Sequence, residues 1–337
     1  MEGTNSIQQI LRVIKNVGYL SEDESMNIQQ IQSFPKDRVR ALFGLEPAAL
    51  SLLLAAALPE LCARRLAIKQ AKPGRKRNPG GGRSRKLFAY QEVLLTLVYL
   101  RHNVSHAIVG AMFGVSADIS ENSFHDVVQL LRDLCPAHRF DAEKKWTKKE
   151  PSWHPDTLDM VLVDSFETPI ARPSLPEAQH QLYSGKKKRH TIKTQIITDA
   201  RGEVLAIEPG YPGPLPDKTL YEQSEAAAQY PRAARRADLA YQGVPEMLLP
   251  HKKKRGKAGE KSRDLTPQQK AENRHSSSQR VYVEHGVRRC KAWRILRDDL
   301  RLGRGLFPLL ATATVGLVHL ARLCPGNCIP GSCIPGS

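Results

Sequence analysis

The spacing of hydrophobic residues changes near the middle of the chain. From residue 37 to 68 apolar positions recur at helical intervals, with Leu42, Leu45, Leu50, Leu53, Leu54 and Leu58 as core candidates; Pro59 is expected to kink or divide this helix. Residues 87–134 carry the same spacing in three pieces. A first helix covers 93–101, Ser105 stands where a capping side chain would open a second, Gly114-Val115-Ser116 makes a tight turn, and a third helix runs to about Leu131. Helix, glycine turn, helix predicts a helix-turn-helix, with an ordinary three-helix bundle as the alternative. Its last helix would offer Asp118, Ser120, Glu121, Asn122 and His125 to a major groove.

A polar, Trp- and Pro-rich stretch at 141–157 marks a boundary, after which the period shortens to that of strands. Residues 158–163 (LDMVLV) are a short apolar run ending at Asp164 and predict a buried central strand. Residues 191–199 (TIKTQIITD) alternate, Ala200-Arg201-Gly202 turns the chain, and 203–208 return as a third strand. A helix over 217–230, a short strand over 236–241 (RADLAY), a basic excursion, a helix beginning near Arg280 and a last helix over 306–323 complete the pattern. That order is the order of a ribonuclease-H-like α/β fold, a mixed sheet flanked by helices. The expected organisation is an N-terminal extension (1–36), a helical module (37–68), a basic Gly/Pro linker (69–86), an all-α helix-turn-helix region (87–140), the α/β catalytic domain (155–323) and a disordered tail (324–337).

Charge narrows the partner. Lys and Arg number 51 against 34 Asp and Glu, a net charge of +17 in 337 residues, which favours a polyanion, nucleic acid ahead of a membrane. The linker KQAKPGRKRNPGGGRSRK cannot bury a core, and it can lie along phosphates. Six scattered cysteines without a signal peptide read as reduced cytosolic thiols. The closing CPGNCIPGSCIPGS lacks the second Cys or His pair of a zinc site. The apolar run at 306–321, interrupted by Pro308 and His319, reads as a buried core helix too short to span a bilayer.

The chemistry centres on Arg280–Lys291, RVYVEHGVRRCK. As a helix it places Arg280, Glu284, His285, Arg288 and Lys291 on one face, so a single carboxylate stands among cations. A carboxylate there makes sense beside a polyanion if it binds something positive. In the predicted order, Asp164 lies near the end of the first strand and Asp238 on the fourth, its neighbour, with Glu284 descending from the helix. Three hard oxygen ligands of this kind can hold two Mg²⁺ ions, which clamp the attacking and leaving oxygens of a phosphodiester displacement.

The blocks VDSFETPIARP, YSGKKKRHTIKTQIITDARGEVLAIEPGYPGPLPDKTLYEQS, ADLAYQG and LTPQQKAENRHSSSQRVYVEHGVRRCKAWRIL, with LTLVYLRHNVSHAIVGAMFGVS upstream, resemble bacterial insertion-sequence transposases of the DDE superfamily endonuclease group, kin of the Harbinger elements. The likeness runs in order over roughly residues 37 to 323. Its late signature is met by Arg280, Glu284 and Lys291, with Ser277 where tyrosine is usual; Ala240 replaces a glycine after Asp238, and Pro216 replaces a histidine before Asp217.

The resemblance implies Asp164, Asp238 and Glu284 as metal-binding catalytic carboxylates, with Asp217 as the alternative second ligand or, instead, a helix N-cap. It implies Mg²⁺ or Mn²⁺, two ions by the family habit, and double-stranded DNA partners: element ends and a target. Arg280, Arg288, Arg289, Lys291, Lys186, Lys187, Lys188, Arg189 and Lys252, Lys253, Lys254 and Arg255 would hold phosphates, and residues 87–134 would recognise ends. A homodimer that joins two ends and a place in the bacterial cytoplasm, at the nucleoid, follow from the same likeness. The competing expectations are an inactive remnant that acts as a DNA-binding repressor, and a structure-specific nuclease of the same fold.

Overall fold

The computed structural model describes residues 34–71, 85–253 and 264–324. The expectations for 1–33, for the centre of the linker, for Lys254 and Arg255 and for the tail after Cys324 lie outside these residues. The chain forms two compact units, one of Met1–Pro136, Trp293–Ile295 and Thr312–Ser337, the other of Ala137–Ala292 and Leu296–Ala311.

The described part of the first unit is helical: α1 (Lys36–Phe43), α2 (Pro47–Gln70), α3 (Ala89–His102), α4 (His106–Met112) and α5 (Ala117–Leu134). Pro59 does not divide α2, because it sits on the exposed side, where the carbonyl it leaves unpaired can meet water. Leu50, Leu53, Leu54, Leu58 and Leu61 line the buried side. Both α2 and the final helix are long and apolar enough to cross a bilayer, contrary to the expectation from 306–321, yet half or more of each apolar window is buried within the fold.

The helix-turn-helix forms as its capping residues predict. Ser105 accepts from the Ile108 amide and Ser116 from the Ile119 amide, so each hydroxyl satisfies a donor that the first helical turn leaves open. Gly114 takes φ +68° in the turn, and a Cβ on Gly110 would lie 2.7 Å from the Val115 carbonyl oxygen. Behind it, the buried Glu92 carboxylate is neutralised by Arg65 and by Arg85 at 2.9 Å, with Ser123 donating at 3.4 Å. Ser120 corrects an expectation: it is fully buried and meets His106 Nδ1 at 3.1 Å, so it faces the bundle and not a groove. Asp118, Glu121 and Asn122 are exposed; His125 is half-buried, 3.9 Å from Glu121.

The second unit opens with α6 (Arg139–Thr147) and is built on a mixed sheet. Strand β1 (Met160–Pro169) is followed by α7 (Pro176–Leu182), β2 (Tyr183–Ser184), β3 (Arg189–Asp199), β4 (Val204–Pro212), α8 (Asp217–Gln223), β5 (Ala234–Arg236), β6 (Met247–Leu248), α9 (Pro267–Lys291) and α10 (Phe307–Leu323). β1 and β3 pair antiparallel from Val161↔Asp199 to Pro169↔Thr191, β4 pairs on the far side of β3, β5 runs parallel to β1, and β6 parallel to β5. The spatial order is thus β4-β3-β1-β5-β6, with β2 joined to the start of β3.

Strand alternation sends Val161 and Val163 to one face, where they pack with Ile197, Leu205, Tyr221, Tyr230 and Tyr241. Each such buried side chain contributes about 1.5–3 kcal/mol. Leu162, Asp164 and Phe166 point to the opposite face, which α9 covers. That helix starts earlier than expected because Thr266 and Gln269 form a capping box with Pro267 at the first helical position, so Arg280–Lys291 is its C-terminal half.

Two glycines let α9 approach. A Cβ on Gly286 would lie 2.8 Å from Thr198 Cγ2, and one on Gly202, at φ +76° in the β3–β4 turn, 2.2 Å from the Tyr282 carbonyl oxygen. Gly202→Ala is therefore expected to lower stability by roughly 2–4 kcal/mol, from left-handed backbone strain together with overpacking. Urea unfolding of the variant against wild type measures it.

Candidate active site

The site follows from the register. The last residues paired between β1 and β5 are Leu162 and Arg236, and two residues further along each chain stand Asp164 and Asp238. Asp164 is not at the tip of its strand, as expected, but in its middle, because β3 continues to pair with β1 as far as Pro169. β5 stops early, so Asp164 lies at the open end of the parallel pair. Asp238 falls beyond β5 and caps a short 3₁₀ turn (Leu239–Tyr241), its Oδ1 accepting from the Ala240 amide at 2.8 Å. The strand expected over 236–241 is cut short by this turn. Ala240 is exposed and has no left-handed backbone, so its methyl group is accommodated at the rim.

Asp164, Asp238, Asp217 and Glu284 all line one open cavity of about 490 Å³, with Glu167 as a fifth carboxylate. Lys186, Lys187, Lys193 and Lys291 line it as well. Glu284 is exposed on α9, and Val287 and Lys291 reach the same cavity one and two turns on. Among the described residues no three His, Cys, Asp or Glu side chains are already drawn together as a metal site. The carboxylates share a cavity without closing on one point.

Electrostatics mark Asp164. Burial pushes its pKa up to about 6, and the Asp238 and Asp217 carboxylates push the same way, against the Ser165 amide donating at 2.7 Å and the Arg280 guanidinium. Lys291 is pulled down from the ordinary lysine value by burial and by Lys187, while Glu167 and Asp164 oppose the shift. Its ammonium lies 5.3 Å from the Phe166 ring centroid and within 3.4 Å of the Glu167 carbonyl oxygen. The buried Tyr241 hydroxyl is held well above the usual tyrosine value by burial and by the same three aspartates.

The expected residues divide. Arg280 stands 3.7 Å from Asp238, and Lys186 and Lys187 reach the cavity from the turn before β3, where Lys188 takes φ +55°. Arg288 is exposed. Others have protein partners: Arg289 donates to the Gly202 carbonyl and pairs with Glu203 at 3.5 Å, Arg189 pairs with Asp299, Lys252 donates to Gln242 at 3.2 Å and Lys253 to Asp264 at 2.7 Å. Arg289 thus fastens α9 to the β3–β4 turn, a structural role the sequence did not show. Asp217 is not a cap, since Pro216 holds that position; its Oδ1 accepts from Ser165 Oγ at 2.6 Å and from Lys193 at 3.0 Å. Ser165, Glu167 and Lys193 were missed. Their signal was the polar series Thr191, Lys193, Gln195 at alternate positions of β3, which Glu167 and Ser165 of β1 face in register.

Comparison with known proteins gives the family of both regions. Residues 163–319 match the family described as DDE superfamily endonuclease, and residues 85–137 match the helix-turn-helix of DDE superfamily endonuclease. The chain is 27% identical over 258 residues to a protein named as a probable transposase for insertion sequence element IS702 of Microchaete diplosiphon, covering 75% of this chain and 87% of that one. It is 28% identical over 228 residues to a protein named for the transposase of element IS112 of Streptomyces albus G, covering 67% and 77%. No solved structure matches it significantly.

A raised carboxylate pKa opposes folding once the group must ionise. The Asp164 contribution is complete below the unfolded value near 4 and is lost as pH rises through about 6. With a chelator present, Asp164→Asn is expected to be more stable than wild type at pH 8 by about 2 kcal/mol and equal to it at pH 4. Urea midpoints at the two pH values check this.

Proposed function

Since the chain belongs to the insertion-sequence transposases of the DDE superfamily endonuclease group, we propose that it cuts DNA at the ends of a mobile element and joins the freed ends to target DNA, with Asp164, Asp238 and Glu284 as its carboxylate triad. One observation carries this reading: three carboxylates from two level chain positions and one helix line a single cavity that four lysines also line. The strand order β4-β3-β1-β5-β6 supports a ribonuclease-H-like catalytic fold.

The donor set fits hard divalent ions, since all three side chains offer carboxylate oxygens and Asp164 stands among like charges. Two Mg²⁺ or Mn²⁺ ions, when bound, supply positive charge to the attacking and leaving oxygens of a phosphodiester. The protein's own part is to hold Asp164 on the sheet, Asp238 in the turn after β5 and Glu284 on α9, and to place Lys186, Lys187 and Lys291 against the non-bridging phosphate oxygens. Water adds to phosphorus as the bond to the leaving ribose oxygen breaks, and that oxygen takes up a proton to become a 3′-hydroxyl. The same geometry serves the second step, in which the 3′-hydroxyl oxygen adds to a target phosphorus and gives up its proton as the bond to the target strand's own 3′ oxygen breaks and that oxygen is protonated. With a cation held by Asp238, the Arg280 guanidinium, about a third exposed and 3.7 Å from it, would be available to a phosphate.

The helix-turn-helix holds the element's ends through Asp118, Asn122 and His125, and joining two ends calls for two protomers. Asp164→Ala, Asp238→Ala and Glu284→Ala are each expected to reduce cutting of a labelled duplex across the junction of element and flank by about a thousand-fold or more. Binding of that duplex in a gel shift should change less than about three-fold, and it should weaken steeply with salt. Binding without cutting by wild type would favour a remnant that only binds DNA.

A further inference from the structure

Lys193 is an ammonium inside a central strand, with its side chain 8% exposed. Burying a charge there is costly unless it is paired, and its partner is Asp217, whose side chain is 21% exposed and 3.0 Å away. Lys193 also donates to the Leu215 carbonyl, and Gly213 donates its amide to Thr191 at 3.0 Å, so the loop Gly213 to Asp217 is pinned to β3 at both ends. That loop is a wall of the cavity. The same Asp217 oxygen accepts from Ser165 Oγ at 2.6 Å, while the Ser165 amide donates to Asp164 Oδ1 at 2.7 Å. A continuous chain therefore runs from Lys193 through Asp217 and Ser165 to the carboxylate of Asp164.

This arrangement separates the two candidate aspartates. A divalent ion on Asp217 Oδ1 would sit at hydrogen-bond range from an ammonium that cannot withdraw into water. Asp238 has no such obstacle: its Arg280 partner is 3.7 Å away and 34% exposed. Strand alternation puts Ser165 and Lys193, the partners of Asp217, on the face of Val163, and Asp164 on the other.

Resting on the triad reading above, we propose that Asp217 is a positioning residue and not a metal ligand: with Lys193 and Ser165 it fixes the rotamer of Asp164 and the cavity wall 213–217. Groups that orient a metal-binding side chain typically change affinity or activity by 10- to 100-fold when removed.

The test uses the full-length protein, Mn²⁺ titration by calorimetry and the labelled junction duplex. Asp217→Asn, Lys193→Met and Ser165→Ala are expected to keep the wild-type number of Mn²⁺ bound. Each should raise the Mn²⁺ concentration for half-maximal cutting by about ten-fold or more, with cutting restored at high Mn²⁺. Lys193→Met combined with Asp217→Asn should be no worse than the poorer single variant, because the pair acts as a unit. Asp164→Asn and Asp238→Asn should lose Mn²⁺ sites that no concentration restores. Loss of a site in Asp217→Asn as complete as in Asp238→Asn would overturn the inference, as would a wild-type Mn²⁺ dependence in all three variants. Ser165→Ala leaves the buried ion pair intact and so decides the matter if the charge variants fail to fold. Wild-type cutting by Asp164→Asn would instead overturn the triad reading.

Discussion

Two carboxylates held level at the open end of a parallel strand pair repel each other, and the surrounding side chains answer that repulsion. Asp164 responds by holding its proton to higher pH; Asp238 draws Arg280 toward it; Asp217 is neutralised from within by Lys193. Each negative charge has a different remedy, and the remedies rank the groups. The carboxylate neutralised by a buried cation is fixed, the one beside an exposed arginine is available, and the one with the raised pKa gains most from a new positive neighbour.

Helix α9 decides whether the third carboxylate can join them. Its approach depends on the absence of side chains at Gly202 and Gly286, and Arg289 holds the turn between β3 and β4 against it. The same helix carries Arg280 and Lys291, so one rigid element delivers an acid and a cation to the cavity and sets Arg280 3.7 Å from Asp238. Spacing along a helix is what makes this economical: Glu284, Val287 and Lys291 lie on one stripe, while Val283, Gly286 and Cys290 turn to the sheet.

The helix-turn-helix was legible because its signals are local. Ser105, Gly114 and Ser116 act within a few residues of themselves, and their capping and turn chemistry does not depend on distant partners. Ser120 was misjudged for the opposite reason, since its burial depends on His106, a residue of another helix. The length of β1 was underestimated because β3 supplies its hydrogen bonds beyond Asp164, and the short β5 was overestimated because Asp238 prefers to cap a turn.

By itself the sequence determined the change from helical to strand period, the basic balance and the helix-turn-helix. These are properties of composition and of short-range spacing. Tertiary structure alone decided which aspartates stand level, that Asp217 belongs to Lys193, and that Arg189 and Arg289 are held by protein partners. Those outcomes depend on strand register and on burial, which bring together side chains more than twenty residues apart and change the cost of a charge by its surroundings.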